Sequence, residues 1–175
     1  MADFDGDCAA EVGVAGADWY VVLETDGTVK WRAPINDCSS HRTASSVFDF
    51  DGDGDQDVFI TDMHSDMFED LPPDRAKEAE KIVVDSSESF LRTGGTSIFG
   101  NALFRNDGPD AFVEVSAETG VETYWPWGPS AADLNADGRP DLVVPAGMGF
   151  HYRYHPNSVL MNDGRGRFHD AEYVL

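Results

Sequence analysis

Five aspartates fall within nine residues at Asp49-Phe50-Asp51-Gly52-Asp53-Gly54-Asp55-Gln56-Asp57, and the apolar run Val58-Phe59-Ile60 follows at once. Like charges about 5 Å apart repel by about 1 kcal/mol per pair in water and by several times that near a protein surface. A folded loop with this pattern therefore needs a cation to hold its shape. On a nine-position frame, Asp49, Asp51, Asp53 and Asp57 supply carboxylates from positions 1, 3, 5 and 9, and Asp55 supplies a backbone carbonyl from position 7. Gly54 at position 6 permits a sharp turn that a side chain would obstruct. Oxygen-only ligation suits a hard cation, so the expected ion is calcium rather than zinc or copper.

The frame recurs at Asp133-Leu134-Asn135-Ala136-Asp137-Gly138-Arg139-Pro140-Asp141, before Leu142-Val143-Val144. A degraded copy is Asp3-Phe4-Asp5-Gly6-Asp7-Cys8-Ala9-Ala10-Glu11, before Val12-Gly13-Val14. The expected ligands are then Asp133, Asn135, Asp137 and Asp141 with the Arg139 carbonyl, and Asp3, Asp5, Asp7 and Glu11 with the Ala9 carbonyl. An EF-hand would need a bidentate Glu at position 12, where these copies carry Ile60, Val144 and Val14. What leaves each loop is a strand. One acidic turn arises easily by chance, whereas repeated copies that each lead into a β-branched run argue for a built unit.

Composition sharpens this. Against 12 basic residues stand 33 acidic ones, a net charge of −21, which excludes nucleic acid or an anionic membrane as the natural partner. With 175 residues the chain can build one domain with a real core, and no apolar run approaches the roughly 20 residues that span a bilayer. Met1-Ala2 runs straight into the first acidic loop without a signal peptide, so the chain is expected to be a fragment of a longer protein. Cys8 and Cys38 permit one disulfide or two unpaired buried thiols.

Along the chain, Trp19 to Glu24 and Thr28 to Arg32 flank the Asp26-Gly27 turn as a hairpin. Small residues, Ala44-Ser45-Ser46 and Gly128-Pro129-Ser130-Ala131-Ala132, approach the second and third loops and suit a crowded position where blades converge. Pro72-Pro73-Asp74 followed by Arg75 to Ile82 predicts a short charged helix. The turns Asn106-Asp107-Gly108 and Asn162-Asp163-Gly164 lie 56 residues apart, while the loops at Asp49 and Asp133 lie 84 apart, so the second repeat carries an insertion of about 28 residues. Short strands, Gly-rich turns and no long helices indicate an all-β repeat, most naturally a propeller whose blades pack face to face.

These residues resemble the FG-GAP and VCBS repeat families: a small-residue strand, the loop Asp-x-Asp/Asn-x-Asp-Gly-x-x-Asp, an apolar strand, then Asn-x-Leu-x-x-Asn-Asp-Gly and an aromatic strand. Thr61 to Met67, Ser89 to Gly95 and Tyr124 to Gly128 resemble bacterial relatives of cartilage acidic protein of the ASPIC/UnbV type. The resemblance implies a secreted or surface-exposed, calcium-bound propeller of roughly seven blades. The chain is thus expected to be all-β and propeller-like, with about three blades of an incomplete propeller at 3–43, 44–117 and 118–175 and a short helical insertion at about 63–95.

The expected function is a non-catalytic calcium-binding repeat domain for adhesion or ligand binding, working outside the cytoplasm: extracellular, periplasmic or at the cell surface. Its expected partners are calcium, a protein or carbohydrate ligand, and the missing blades of a parent chain or further copies of itself. The alternative is the propeller part of a calcium-dependent secreted hydrolase or lyase. His151 and His155, four apart in loop or strand, stand too far apart for one zinc. Asp62, His64 and Asp66 alternate as metal ligands or, more simply, as a solvated face. Ser130, Ser86, Ser87 and Ser89 fit no nucleophile elbow. Tyr124-Trp125-Pro126-Trp127 suits either stacking on a ligand or plugging a seam between blades.

Overall fold

A computed structural model describes residues 1–16, 19–35, 44–61, 101–108, 111–123, 126–146 and 157–171. The Asp26-Gly27 turn and the two Asn-Asp-Gly turns each close an antiparallel hairpin, and these hairpins seed three sheets. The first holds β1 (Val12–Ala15), β2 (Trp19–Leu23) and β3 (Val29–Pro34). The second runs in chain order through β4 (Ser45–Phe48), β5 (Asp57–Ile60), β6 (Ala102–Asn106) and β7 (Phe112–Glu114). The third repeats that order with β8 (Ser130–Ala132), β9 (Asp141–Val144), β10 (Ser158–Asn162) and β11 (Phe168–Asp170). Among the described residues the fold is nearly all β, with three blades of a propeller-like stack.

Register makes the repeat explicit. Phe48 pairs with Asp57 and Ala132 with Asp141 across the mouths of the second and third loops, and an isolated bridge from Ala2 to Glu11 takes the same place in the first. Alternation along β5 then divides the core. Val58 and Ile60 turn to the first blade and join Phe4, Tyr20, Val22, Ala33 and Phe104. Phe59 turns the other way, to Phe50, Leu103, Leu142, Leu160 and Phe168. Because both faces of the second blade are covered, all four residues of β5 are buried.

The small residues that precede the loops sit where the blades meet. The Ser46 hydroxyl donates to the Pro129 carbonyl (2.9 Å), and the Tyr20 hydroxyl shares a hydrogen bond with Ser45 (3.2 Å). Gly13 is required there, because a Cβ at that position would fall 2.1 Å from the Tyr20 hydroxyl oxygen.

Two features depart from the sequence reading. One helical turn, α1 (Ser116–Thr119), follows β7 and ends at Gly120 in the left-handed region, a turn that no periodic pattern announces. Cys8 is a free, exposed thiol, neither bridged nor buried. The expected insertion at 63–95 with its helix lies outside the described residues, as do Cys38, Asp62, His64, Asp66, Ser86, Ser87, Ser89, Tyr124, Trp125, His151 and His155. Among the described residues, no helix is long and apolar enough to cross a membrane.

Candidate metal loops

Each acidic loop is wound by its own carboxylates. In the second loop Asp49 accepts the amides of Gly52 (2.7 Å) and Gly54 (3.0 Å), Asp51 accepts that of Asp53 (3.3 Å), and Asp53 accepts that of Asp55 (2.9 Å). The first loop repeats this, with Asp3 on Gly6 and Cys8, Asp5 on Asp7, and Asp7 on Ala9. In the third, Asp133 accepts the amides of Asp137 and Gly138, Asn135 accepts that of Asp137, and Asp137 accepts that of Arg139. Amides gathered on one carboxylate curl the backbone into a tight loop.

The winding requires two left-handed residues per loop. Position 6 is one of them, at Cys8 (φ 69°), Gly54 (φ 101°) and Gly138 (φ 88°). Position 4 is the other, at Gly6 (φ 74°), Gly52 (φ 82°) and Ala136 (φ 60°), and the sequence reading missed it. Glycine at position 4 in two of the three copies was the available signal.

The ninth position locks the loop to its blade. Asp57, fully buried, accepts the Phe50 amide on one oxygen (2.9 Å) and the Asn106 amide on the other (2.8 Å). Asp141 does the same with the amides of Leu134 (3.0 Å) and Asn162 (2.8 Å). Burial pushes the Asp57 carboxyl up to about 7, against the pull of its two amide donors. The asparagines go further and clasp the preceding blade. Asn106 donates its side-chain amide to the Phe4 carbonyl (2.8 Å), and Asn162 donates to the Phe50 carbonyl (2.7 Å). Phe4 and Phe50, at position 2, are thereby held in the seam, each 2% exposed.

Donor geometry separates the loops. Asp49, Asp51 and Asp53 bring carboxylate oxygens within 4.8 Å of one another, and so do Asp3, Asp5 and Glu11. Calcium–oxygen contacts of about 2.3–2.6 Å place ligands across one ion at about 5 Å, so both groups fit a calcium-sized cation. A carboxylate oxygen that accepts one amide keeps a second lone pair for an ion. Desolvation by partial burial, with the Asp53 charge next, raises the Asp51 carboxyl. In the third loop Arg139 pairs with Asp137 (2.8 Å), and the Asn135 amide donates to the same oxygen (2.9 Å). The Arg139 amide hydrogen bond, first among the causes, holds the Asp137 carboxyl below its usual range.

Beside the second loop a cleft of about 240 Å³ opens between the second and third blades, walled by Asp51, Arg105, Glu118, Thr119, Arg165 and Arg167. Arg105 forms a fork with Asp107, Nε to Oδ1 (2.5 Å) and a terminal nitrogen to Oδ2 (3.0 Å). Pro126 bridges to Ala146, while Trp127 stands 43% exposed. Ser130 occupies an exposed position at the start of β8.

Residues 84–144 match the FG-GAP-like repeat family. That stretch takes in β6, β7, α1, β8, the third loop and β9, and the match marks it as a β-propeller-type repeat. No curated protein matches the chain.

Proposed function

We propose that the chain is a calcium-stabilised repeat domain of the FG-GAP/VCBS type, serving adhesion or ligand binding outside the cytoplasm. The observation that carries this is the convergence of Asp49, Asp51 and Asp53 within 4.8 Å in a loop whose backbone amides already fix its shape. A divalent ion there neutralises charges that otherwise repel, and it ties the loop to the seam between two blades through Phe50 and Asp57. Open loops of this kind bind at about 10⁻⁵ to 10⁻³ M, an affinity useful where calcium is abundant. The cleft beside Asp51, with Arg105, Arg165 and Arg167 on its wall, is the surface we assign to the protein or carbohydrate ligand. The narrower kinship with ASPIC/UnbV-type proteins rests on the strings at 61–67, 89–95 and 124–128.

The deciding experiment is thermal unfolding in EDTA and in millimolar calcium. Calcium should raise Tm, since a ligand bound only by the native state stabilises by RT ln(1 + [L]/Kd). Superimposed curves would refute the reading.

A further inference from the structure

The first loop differs from the other two in where its ninth carboxylate goes. Asp57 and Asp141 each spend both oxygens on backbone amides, one from position 2 and one from the hairpin asparagine. Glu11 is equally buried, at 0% exposure, and accepts the Phe4 amide on Oε2 (2.7 Å). Its Oε1 has no partner among the described residues. The cause is local. At the place of Asn106-Asp107-Gly108 and Asn162-Asp163-Gly164 the first blade has Thr25-Asp26-Gly27, and its Asp26-Gly27 turn closes through bonds between Glu24 and both Gly27 and Thr28. No hairpin amide reaches Glu11. A fully buried carboxylate oxygen without a donor costs the whole desolvation of that group, and the Glu11 carboxylate brings an oxygen within 4.8 Å of the Asp3 and Asp5 oxygens.

A second difference faces the same loop. Strands β2 and β3 slip register between Val22 and Leu23: Val22 pairs with Trp31 and Leu23 with Val29, which leaves Lys30 as the extra residue of a bulge. In the other blades the equivalent rung pairs Phe104 with Glu114 and Leu160 with Asp170, an acid each time. The bulge aims Lys30 at the loop, where its ammonium pairs with Asp5 and with Glu24 (2.9 Å) and the side chain is 7% exposed.

We propose that Asp3, Asp5 and Glu11 form a divalent-cation site of a different build from the other two loops, and that Lys30 is its internal competitor. The ammonium occupies Asp5 when no ion is bound and leaves it when a divalent cation arrives; Glu11 Oε1, freed from any hairpin amide, becomes the third ligand. This rests on the reading of the acidic loops as calcium loops. It adds that the first loop carries a lysine which weakens its affinity and keeps it in shape without metal.

Calorimetric titration of the full chain with calcium chloride, for the native protein, Lys30→Met and Glu11→Gln, tests the proposal. Methionine keeps the apolar stem and deletes the charge, so Lys30→Met should tighten the weakest binding step roughly tenfold and leave the stronger steps unchanged. Glu11→Gln should abolish that step alone. Melting curves give a second readout that does not depend on Glu11→Gln folding: Lys30→Met should lower Tm in EDTA yet show a larger rise on adding calcium. A lysine that only braces the loop would lower Tm equally in both. An unchanged weak step in Lys30→Met, or an equal Tm loss with and without calcium, overturns the proposal while the calcium reading of the second and third loops stands. Failure of the native chain to bind calcium at all overturns both.

Discussion

Phe50 and Leu134 hold the same position in two copies of one loop, and each precedes a strand paired in the same register, yet Phe50 is 2% exposed and Leu134 46%. Nothing within the two loops accounts for this. Over Phe50 lies the next blade, with Phe168 6.1 Å away ring to ring and Asn162 bonded to the Phe50 carbonyl. Over Leu134 the described residues place no such blade. The position-2 residue is therefore a joint between blades rather than part of its own loop, and its burial measures what covers it. Stability in such a stack sums contributions from neighbouring interfaces, so similar sequences carry unequal loads.

The sharpest way to break the comparison is to truncate both residues. Phe50→Ala should cost about 3–5 kcal/mol in denaturant unfolding, the usual range for a buried aromatic, whereas Leu134→Ala should cost under about 1 kcal/mol. Equal losses would show that Leu134 is covered in solution and that the third blade has a partner at its outer face.

Metal comes next in size. At calcium a hundredfold above Kd the native state gains about 2.7 kcal/mol per site. Most of the gain should sit in the second loop, which has the fullest set of carboxylates; the third offers Asn135 in place of one acid and pairs Asp137 with Arg139. Asp51→Ala should thus abolish more calcium-induced stabilisation than Asp137→Ala. A larger loss at Asp137 would reverse the ranking.

How far the sequence foretells these differences depends on the distance over which they act. Loop, strand and hairpin were legible because each is written in a dozen consecutive residues or fewer: Asp49 to Ile60, or Phe104 to Phe112 around its Asn-Asp-Gly turn. The clasps were not, since Asn106 reaches Phe4 across 102 residues and Asn162 reaches Phe50 across 112. Asparagine in a turn reads as turn chemistry; which neighbouring carbonyl it meets is decided by blade packing. Lys30 was illegible for another reason. Its role follows from a one-residue register slip that the strand pattern of Trp19 to Arg32 does not encode. The ligand sets named from the frame divide along the same line, with Asp49, Asp51 and Asp53 gathered locally and Asp57 and Asp141 tied to distant hairpin amides.

The clasp itself can be weighed. Asn162→Ala deprives the carbonyls of Phe50 and Pro140 of their donor inside a buried seam, and should cost about 1–3 kcal/mol. Asp163→Ala, next in the chain but exposed, serves as the control and should change stability by less than about 1 kcal/mol. If both behave alike, Asn162 is merely a turn residue and the seam is held by apolar burial alone.

The smallest effect concerns the loop backbone, and it has a sign opposite to the others. Ala136 adopts φ 60° where the first two loops place glycine, and a side chain in the left-handed region costs about 1–2 kcal/mol. Glycine returns part of that gain through the greater freedom of its unfolded chain, about 0.5–1 kcal/mol. Ala136→Gly should therefore stabilise the protein slightly, by about 0.5 kcal/mol, and Cys8→Gly (φ 69°) should act likewise, since its exposed thiol buries nothing. Gly52→Ala is the mirror experiment: a Cβ there meets no atom within 4 Å, so any loss reports conformation alone and should be about 1 kcal/mol. Chemical denaturation of the three variants in EDTA isolates the backbone term from metal binding. A gain at Ala136 and a loss at Gly52 would mean that the third loop is wound like the second and differs in its ligands. A loss at both would mean that the two loops follow different backbone paths, so that the contrast between Phe50 and Leu134 begins inside the loops after all.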